Sequence, residues 1–106
     1  MPKFMYLVDY TSAGSGGLMK EGGTKRRTAI EKVVKKLGGT LEAFYFSFGH
    51  EDAVTIVDLP DSVSAAAFSL AVGATGVATI RTVPLLTCED VDRACKTPIA
   101  YRKPGA

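Results

Sequence analysis

Residues Thr40 to Leu59 read TLEAFYFSFGHEDAVTIVDL, two apolar runs joined by Phe48-Gly49-His50-Glu51-Asp52. Both runs are rich in aromatic and β-branched residues and a glycine sits between them, so the stretch reads as a β-hairpin. Strict alternation sorts its first arm into Leu41, Ala43, Tyr45 and Ser47 on one face and Phe44, Phe46 and Phe48 on the other. The second arm sorts into Ala53, Thr55 and Val57 against Val54 and Ile56. The turn holds the chain's only histidine, His50, between a glycine and two carboxylates, which makes it the natural starting point for proton chemistry near neutral pH.

On the N-terminal side, Lys3 to Tyr10 (KFMYLVDY) alternates Phe4, Tyr6, Val8 and Tyr10 with Met5 and Leu7, a first strand buried on both sides. Thr11 to Thr24 carries five glycines and reads as a mobile loop. It matches neither GxxxxGK[ST] nor GxGxxG, so a phosphate cradle ahead of Lys25, Arg26 and Arg27 has only helix-terminus chemistry behind it. Thr24 suits a helix N-cap; Ile30, Val33, Val34 and Leu37 follow helical spacing, and Gly38-Gly39 end the helix. Lys32, Lys35 and Lys36 form its wet side.

Beyond the hairpin, Asp61 or Ser62 caps a second helix with Val63, Ala66, Ala67, Leu70 and Ala71 as its buried stripe. Val77 to Leu86 is a fourth strand, whose Pro84 suits an edge or a strand end. Thr87-Cys88-Glu89-Asp90 opens a short C-terminal helix closed by Thr97-Pro98, and residues 98–106 read as an extended tail. Cys88 and Cys95 lie on one face of that helix about 10 Å apart along its axis, too far for a disulfide, and read as reduced thiols with no metal-ligand set beside them.

The order strand, helix, strand, strand, helix, strand predicts one α+β domain over residues 1–106. It is a ferredoxin-like βαββαβ fold whose four-stranded antiparallel sheet has order 4-1-3-2 and both helices on one face. Met5, Leu7, Phe44, Phe46, Val54, Ile56 and Ile80 are expected to meet the helices. The open face would then carry Phe4, Tyr6, Val8, Tyr10, Tyr45, Ser47, Thr55, Val57, Thr79 and Arg81, which cannot all face water. Sheet-to-sheet pairing of two copies enclosing a partly polar cavity, in a homodimer or a higher homo-oligomer, is the expected solution. Parity also predicts an ion pair between Arg26 and Asp52, with Arg27 as substitute.

The run from Arg26-Arg27 through GGTLEAFYFSFGHEDAVTIVDLPD to Leu85-Leu86-Thr87-Cys88-Glu89 resembles the GYD domain family of small bacterial proteins. Gly49 and Asp52 match the glycine and aspartate of its turn motif, while Glu51 stands where the aromatic would be. The resemblance implies a dimeric α/β barrel assembly. It implies a small aromatic or carbonyl ligand in the inter-sheet cavity, with cofactor-independent acid–base chemistry as one outcome and a non-catalytic oligomeric binding or regulatory module as the alternative. His50 and Tyr45 are the candidate catalytic groups, and Tyr6, Tyr10, Thr55, Thr79 and Arg81 the candidate ligand contacts.

Formal charge is only +2 and the RNP1 pattern is missing, which reads against nucleic acid. No apolar run approaches the roughly 20 residues of a membrane span and the opening lacks a leader pattern, so a cytoplasmic location is expected. His50 sits in a turn, which reads against haem; no cofactor and no metal are expected.

Overall fold

The computed structural model of residues 1–106 contains β1 (Lys3–Tyr10), α1 (Ser12–Glu21), α2 (Gly23–Lys36), β2 (Thr40–Phe46), β3 (Ala53–Asp58), α3 (Ser62–Ala74), β4 (Ala78–Leu85) and α4 (Cys88–Lys96). The strands form one antiparallel sheet in the order β2-β3-β1-β4, consistent with a ferredoxin-like arrangement. The core is Phe4, Tyr6, Val34, Leu41, Val57, Leu59, Ala65 and Phe68, residues of the sheet, of the two helices α2 and α3 that cover it and, with Leu59, of the link between β3 and α3.

The sheet faces are the reverse of the sequence expectation on β1 and β3. Phe4 and Tyr6 are buried against the helices, and the registers Phe4–Val57, Tyr6–Thr55 and Val8–Ala53 place those residues on the same side. Met5, Leu7, Val54 and Ile56 lie on the open face. The strand ends supply the reason: Lys3, Asp9 and Asp58 share parity with Met5, Leu7 and Ile56, and three charges beneath the helices would lose their hydration. The Tyr6 phenol tolerates burial because it donates to the Ala65 carbonyl at 2.8 Å and packs on Phe68 at 4.7 Å between ring centroids. Burial pushes its pKa up to about 12.

On β2 the register slips between Leu41 and Ala43, a β-bulge that leaves Glu42 without a β3 partner. Leu41 therefore joins Phe44 and Phe46 on the helix side instead of opposing them. Glu42 is freed to reach Lys3 Nζ at 2.5 Å, next to the Lys3–Asp58 pair at 2.9 Å.

The glycine-rich segment after β1 is a helix, not a loop. Interior glycine costs a helix roughly 0.5–1 kcal/mol relative to alanine, and tertiary bonds offset that cost here. The Thr11 side chain accepts from Gly14 N–H at 3.3 Å while its hydroxyl donates to the Gly76 carbonyl at 2.7 Å, and its N–H donates to the Val77 carbonyl at 3.0 Å. These bonds lash the head of α1 to the start of β4. A Cβ on Gly14 would lie 1.9 Å from the Val77 carbonyl oxygen, so only glycine fits there.

Gly22, at φ +85°, closes α1 and is the N-cap of α2 in place of Thr24. Asp61 caps α3, accepting from Ser64 N–H at 2.8 Å. The buried stripe of α3 is Ala65, Phe68 and the partly buried Val72; Val63, Ala66, Ala67, Leu70 and Ala71, expected inside, are exposed.

Gly14→Ala should lower stability by about 1–3 kcal/mol, since the backbone of Val77 must move to admit the methyl group. Gly16→Ala, where nothing lies within 4 Å, should raise it by about 0.5–1 kcal/mol. Thermal denaturation of the two variants reads both signs.

Candidate functional site

Two polar clusters stand out, one on each side of the sheet. On the open side the hairpin turn, Ser47 to Asp52, folds back through Ser47 N–H to the Asp52 carbonyl at 2.9 Å, with Phe48 in the left-handed region at φ +54°. Glu51 Oε1 accepts from Arg81 Nη2 at 2.5 Å and lies 3.1 Å from His50 Nδ1. The His50 side chain is 83% exposed and that of Arg81 is 56% exposed, so this is a wet rim and not a closed site. Tyr45 and Thr79 share the open face and are exposed.

The other cluster lies where β1 ends. Tyr10, Ala13, Gly14, Gly17, Leu18, Glu21, Arg26 and Val77 line a cleft of about 290 Å³, close to the lower size limit of small-molecule sites. The turn from α1 into α2 at Gly22 brings Glu21 and Arg26 together, with Arg26 Nε 3.4 Å from Glu21 Oε2. That distance allows charge attraction, but the geometry does not make a hydrogen bond. Arg26 Nε is the only buried side-chain polar atom of the molecule without a hydrogen-bond partner in the protein.

Tyr10 is half-buried in the wall of this cleft. Burial raises its phenol pKa; the Asp52 and Glu21 carboxylates act in the same direction and the Arg26 guanidinium opposes them. Asp52 is held in place by accepting the Tyr10 backbone N–H at 2.8 Å. The expected Arg26–Asp52 pair therefore does not form: Asp52 is committed to the end of β1, and Arg26 turns to Glu21. Arg27 is exposed and lines a separate shallow hollow with Gly23, Thr24, Phe44 and Phe46.

The candidate site residues thus separate. Tyr45, Thr79, Arg81 and His50 belong to the open face and its rim. Tyr6 and Thr55 are buried under the helices, because the parity set by Lys3, Asp9 and Asp58 turns them inward, and they line neither cluster. Tyr10 is on the helix side too, but as the last residue of β1 it emerges into the cleft. Sequence reasoning missed Glu21, Leu18 and Val77, and the signal for Glu21 was its place five residues before Arg26 across a Gly-Gly turn. No group of three or more His, Cys, Asp or Glu side chains is arranged to hold a metal ion.

An antiparallel four-stranded sheet covered by helices on one face defines an α+β protein. The family model of the GYD domain matches residues 4–95, and the chain belongs to that family. Comparisons with curated proteins and with solved structures give no match. No helix is long and apolar enough to cross a membrane.

Asp52→Asn keeps an acceptor for Tyr10 N–H but removes a negative charge, so the Tyr10 pKa should fall. Phenolate absorbance against pH, with Tyr10→Phe as control, reads the change. The sign for stability follows from the raised folded pKa: the contribution of Tyr10 is full below the ordinary value of 10.0 and is lost as pH climbs through the raised one.

Proposed function

We propose that this GYD-domain protein is a homo-oligomer, a dimer or larger, whose copies pair through the open sheet face, and that it binds a small aromatic or carbonyl compound in the Tyr10–Arg26 cleft of each protomer. The observation that carries the ligand reading is Arg26, a cation at the wall of a small cavity whose buried Nε makes no hydrogen bond and has only the Glu21 carboxylate 3.4 Å away. A buried guanidinium nitrogen so loosely matched is rare, and a ligand oxygen in the cavity would give the Arg26 side chain the hydrogen bonding that Glu21 does not. Its neighbours suit a carbonyl better than a free anion, because the Glu21 carboxylate already lies beside the guanidinium and Asp52 is close enough to act on Tyr10 in the cleft wall. Ala13, Leu18 and Val77 offer an apolar wall to the rest of the molecule.

The same set suits acid–base chemistry without a cofactor. A proton lost from the carbon beside the carbonyl would pass to Glu21, with the resulting enolate oxygen held by Arg26 and Tyr10. The alternative, a binding module that performs no chemistry, uses the same cleft and leaves the ligand unchanged.

Pairing is supported by what the open face displays. Met5, Leu7, Val54, Ile56 and Val83 form an apolar field between two charged ends, Lys3 with Glu42 and Asp58 at one and Arg81 with Glu51 at the other. A field of this kind is the usual mark of an association surface, and a two-fold axis would match it to itself. A second reading keeps the ligand between the sheets, with Tyr45, Thr79 and Arg81 as contacts and His50 as the acid or base; the Arg81–Glu51–His50 chain favours it.

Benzoylacetone, an aromatic 1,3-dicarbonyl whose keto–enol absorbance reports both binding and conversion, separates these readings. Saturable binding should weaken about 10- to 100-fold in Arg26→Ala, the loss of one charged hydrogen bond, and persist in Arg81→Ala. The reverse pattern moves the site to the open face, and no saturable binding to the wild-type chain overturns the cleft. Accelerated keto–enol exchange, absent in Glu21→Gln, assigns an enzyme; binding without it assigns a module. Ile56→Asp should halve the mass measured by light scattering, and an unchanged mass sinks the sheet-to-sheet dimer.

A further inference from the structure

The chain is too open for its mass. A compact monomer of 11.2 kDa exposes about 5,700 Å², and this one exposes 7242 Å². The excess of about 1,500 Å² on one chain is about twice the roughly 800 Å² that each partner loses in a standard-sized interface. The radius of gyration is 16.9 Å against about 13 Å for a compact domain of this length, and the longest extent is 57 Å.

The arm from Leu86 to Ala106 accounts for much of this. Every residue in it but Asp90 is exposed, including Leu86, Val91, Ile99 and Tyr101. Yet α4 is sharply two-sided. Cys88, Val91 and Cys95 follow helical spacing along one side, and Glu89, Asp92, Arg93 and Lys96 occupy the rest. Free cysteine is among the most buried residue types, so two exposed thiols on an apolar stripe mark a surface that lacks its cover.

A matching surface lies on the body of the same chain. From Ser62 to Ile80 there is no charged residue, although α3 faces outward with Val63 and Leu70 77% and 74% exposed and Ala66, Ala67 and Ala71 beside them. Next to this side runs a groove of about 390 Å³ between α3 and β4, lined by Phe4, Ala65, Ala66, Leu70, Thr82 and Pro84.

The arm does not fold back on its own α3. Only Leu86 and Thr87 separate β4 from α4, and the direction of the helix is set at once by a reciprocal cap. In that cap the Thr87 side chain accepts from Asp90 N–H, and the Asp90 carboxylate accepts from Thr87 N–H, each at 3.0 Å.

We propose that the arm is exchanged between two copies of this chain: α4 lays its Cys88–Val91–Cys95 stripe on the exposed Val63–Ala67–Leu70 side of α3 in a second copy, and the tail carries Ile99 and Tyr101 into the α3–β4 groove. The exchange is reciprocal, since each copy holds both halves of the contact, and it does not depend on what the Tyr10–Arg26 cleft binds.

Iodoacetamide labelling of the full-length protein tests it, read by mass spectrometry. Cys88 and Cys95 should react at least about 10-fold more slowly in the native protein than in urea, and Leu70→Asp, at an exposed position, should restore the fast rate without unfolding the chain. Leu70→Cys, mildly oxidised, should give a covalent dimer whose mapped peptides join position 70 to Cys88 or Cys95. Fast labelling of the native thiols, protection that survives Leu70→Asp, or a bridge within one chain each overturns the proposal.

Discussion

A β-strand shows its side chains alternately to two faces, so placing one residue of a central strand places all of them. In this protein that constraint acts on β1, which is paired on both sides. Tyr6 goes inward, satisfied by the Ala65 carbonyl and packed at a tilt against Phe68, and Phe4 and Val8 must follow it. Lys3 and Asp9 then go outward with Met5 and Leu7. Both polar clusters follow from this choice, since Tyr10 ends on the helix side beside Arg26 while Arg81, opposite Leu7, ends on the open side beside Glu51.

The cleft at the end of β1 is built by a corner in the chain. Gly22 turns α1 into α2 at a φ that other residues rarely adopt, and the corner sets Glu21 against Arg26. Gly14, pressed against Val77, holds the first turn of α1 near β4, and Gly17 leaves space within the cleft. Asp52 is fixed from the hairpin side by the backbone of Tyr10. The Arg26 guanidinium thus lines the cleft with Tyr10 and Glu21, its buried Nε 3.4 Å from the Glu21 carboxylate without a hydrogen bond.

A chain of this size has a small core to hold it, with twelve of 106 residues buried. The open sheet face, the uncharged outer side of α3 and the stripe of α4 each leave apolar area in water. The open sheet face and the outer side of α3 lie on opposite sides of the protein. Self-association through the sheet and exchange of the arm would together return this chain to the surface expected of its mass.

Much of the architecture was legible in local pattern. The hairpin from Thr40, the boundaries of β1, the Asp61 cap and the Thr87–Asp90 cap all rest on alternation or capping chemistry within a few residues, and they appear where those rules put them. The rest was decided at long range. Alternation divides a strand into two sets but does not say which set the helices cover; the charged ends Lys3, Asp9 and Asp58 tip that balance only once the strands lie side by side. The slip at Glu42 moved Leu41 to the other face, which strict alternation cannot foresee. The glycines of α1 argue for a loop until Thr11, Gly76 and Val77 meet across more than sixty positions of sequence. Glu21 and Arg26 were each visible as charges, and only the corner at Gly22 made them neighbours. Local chemistry determined which elements form; tertiary contact determined which way they face, because burying a charge or leaving a donor unpaired is a cost that no short window of sequence contains.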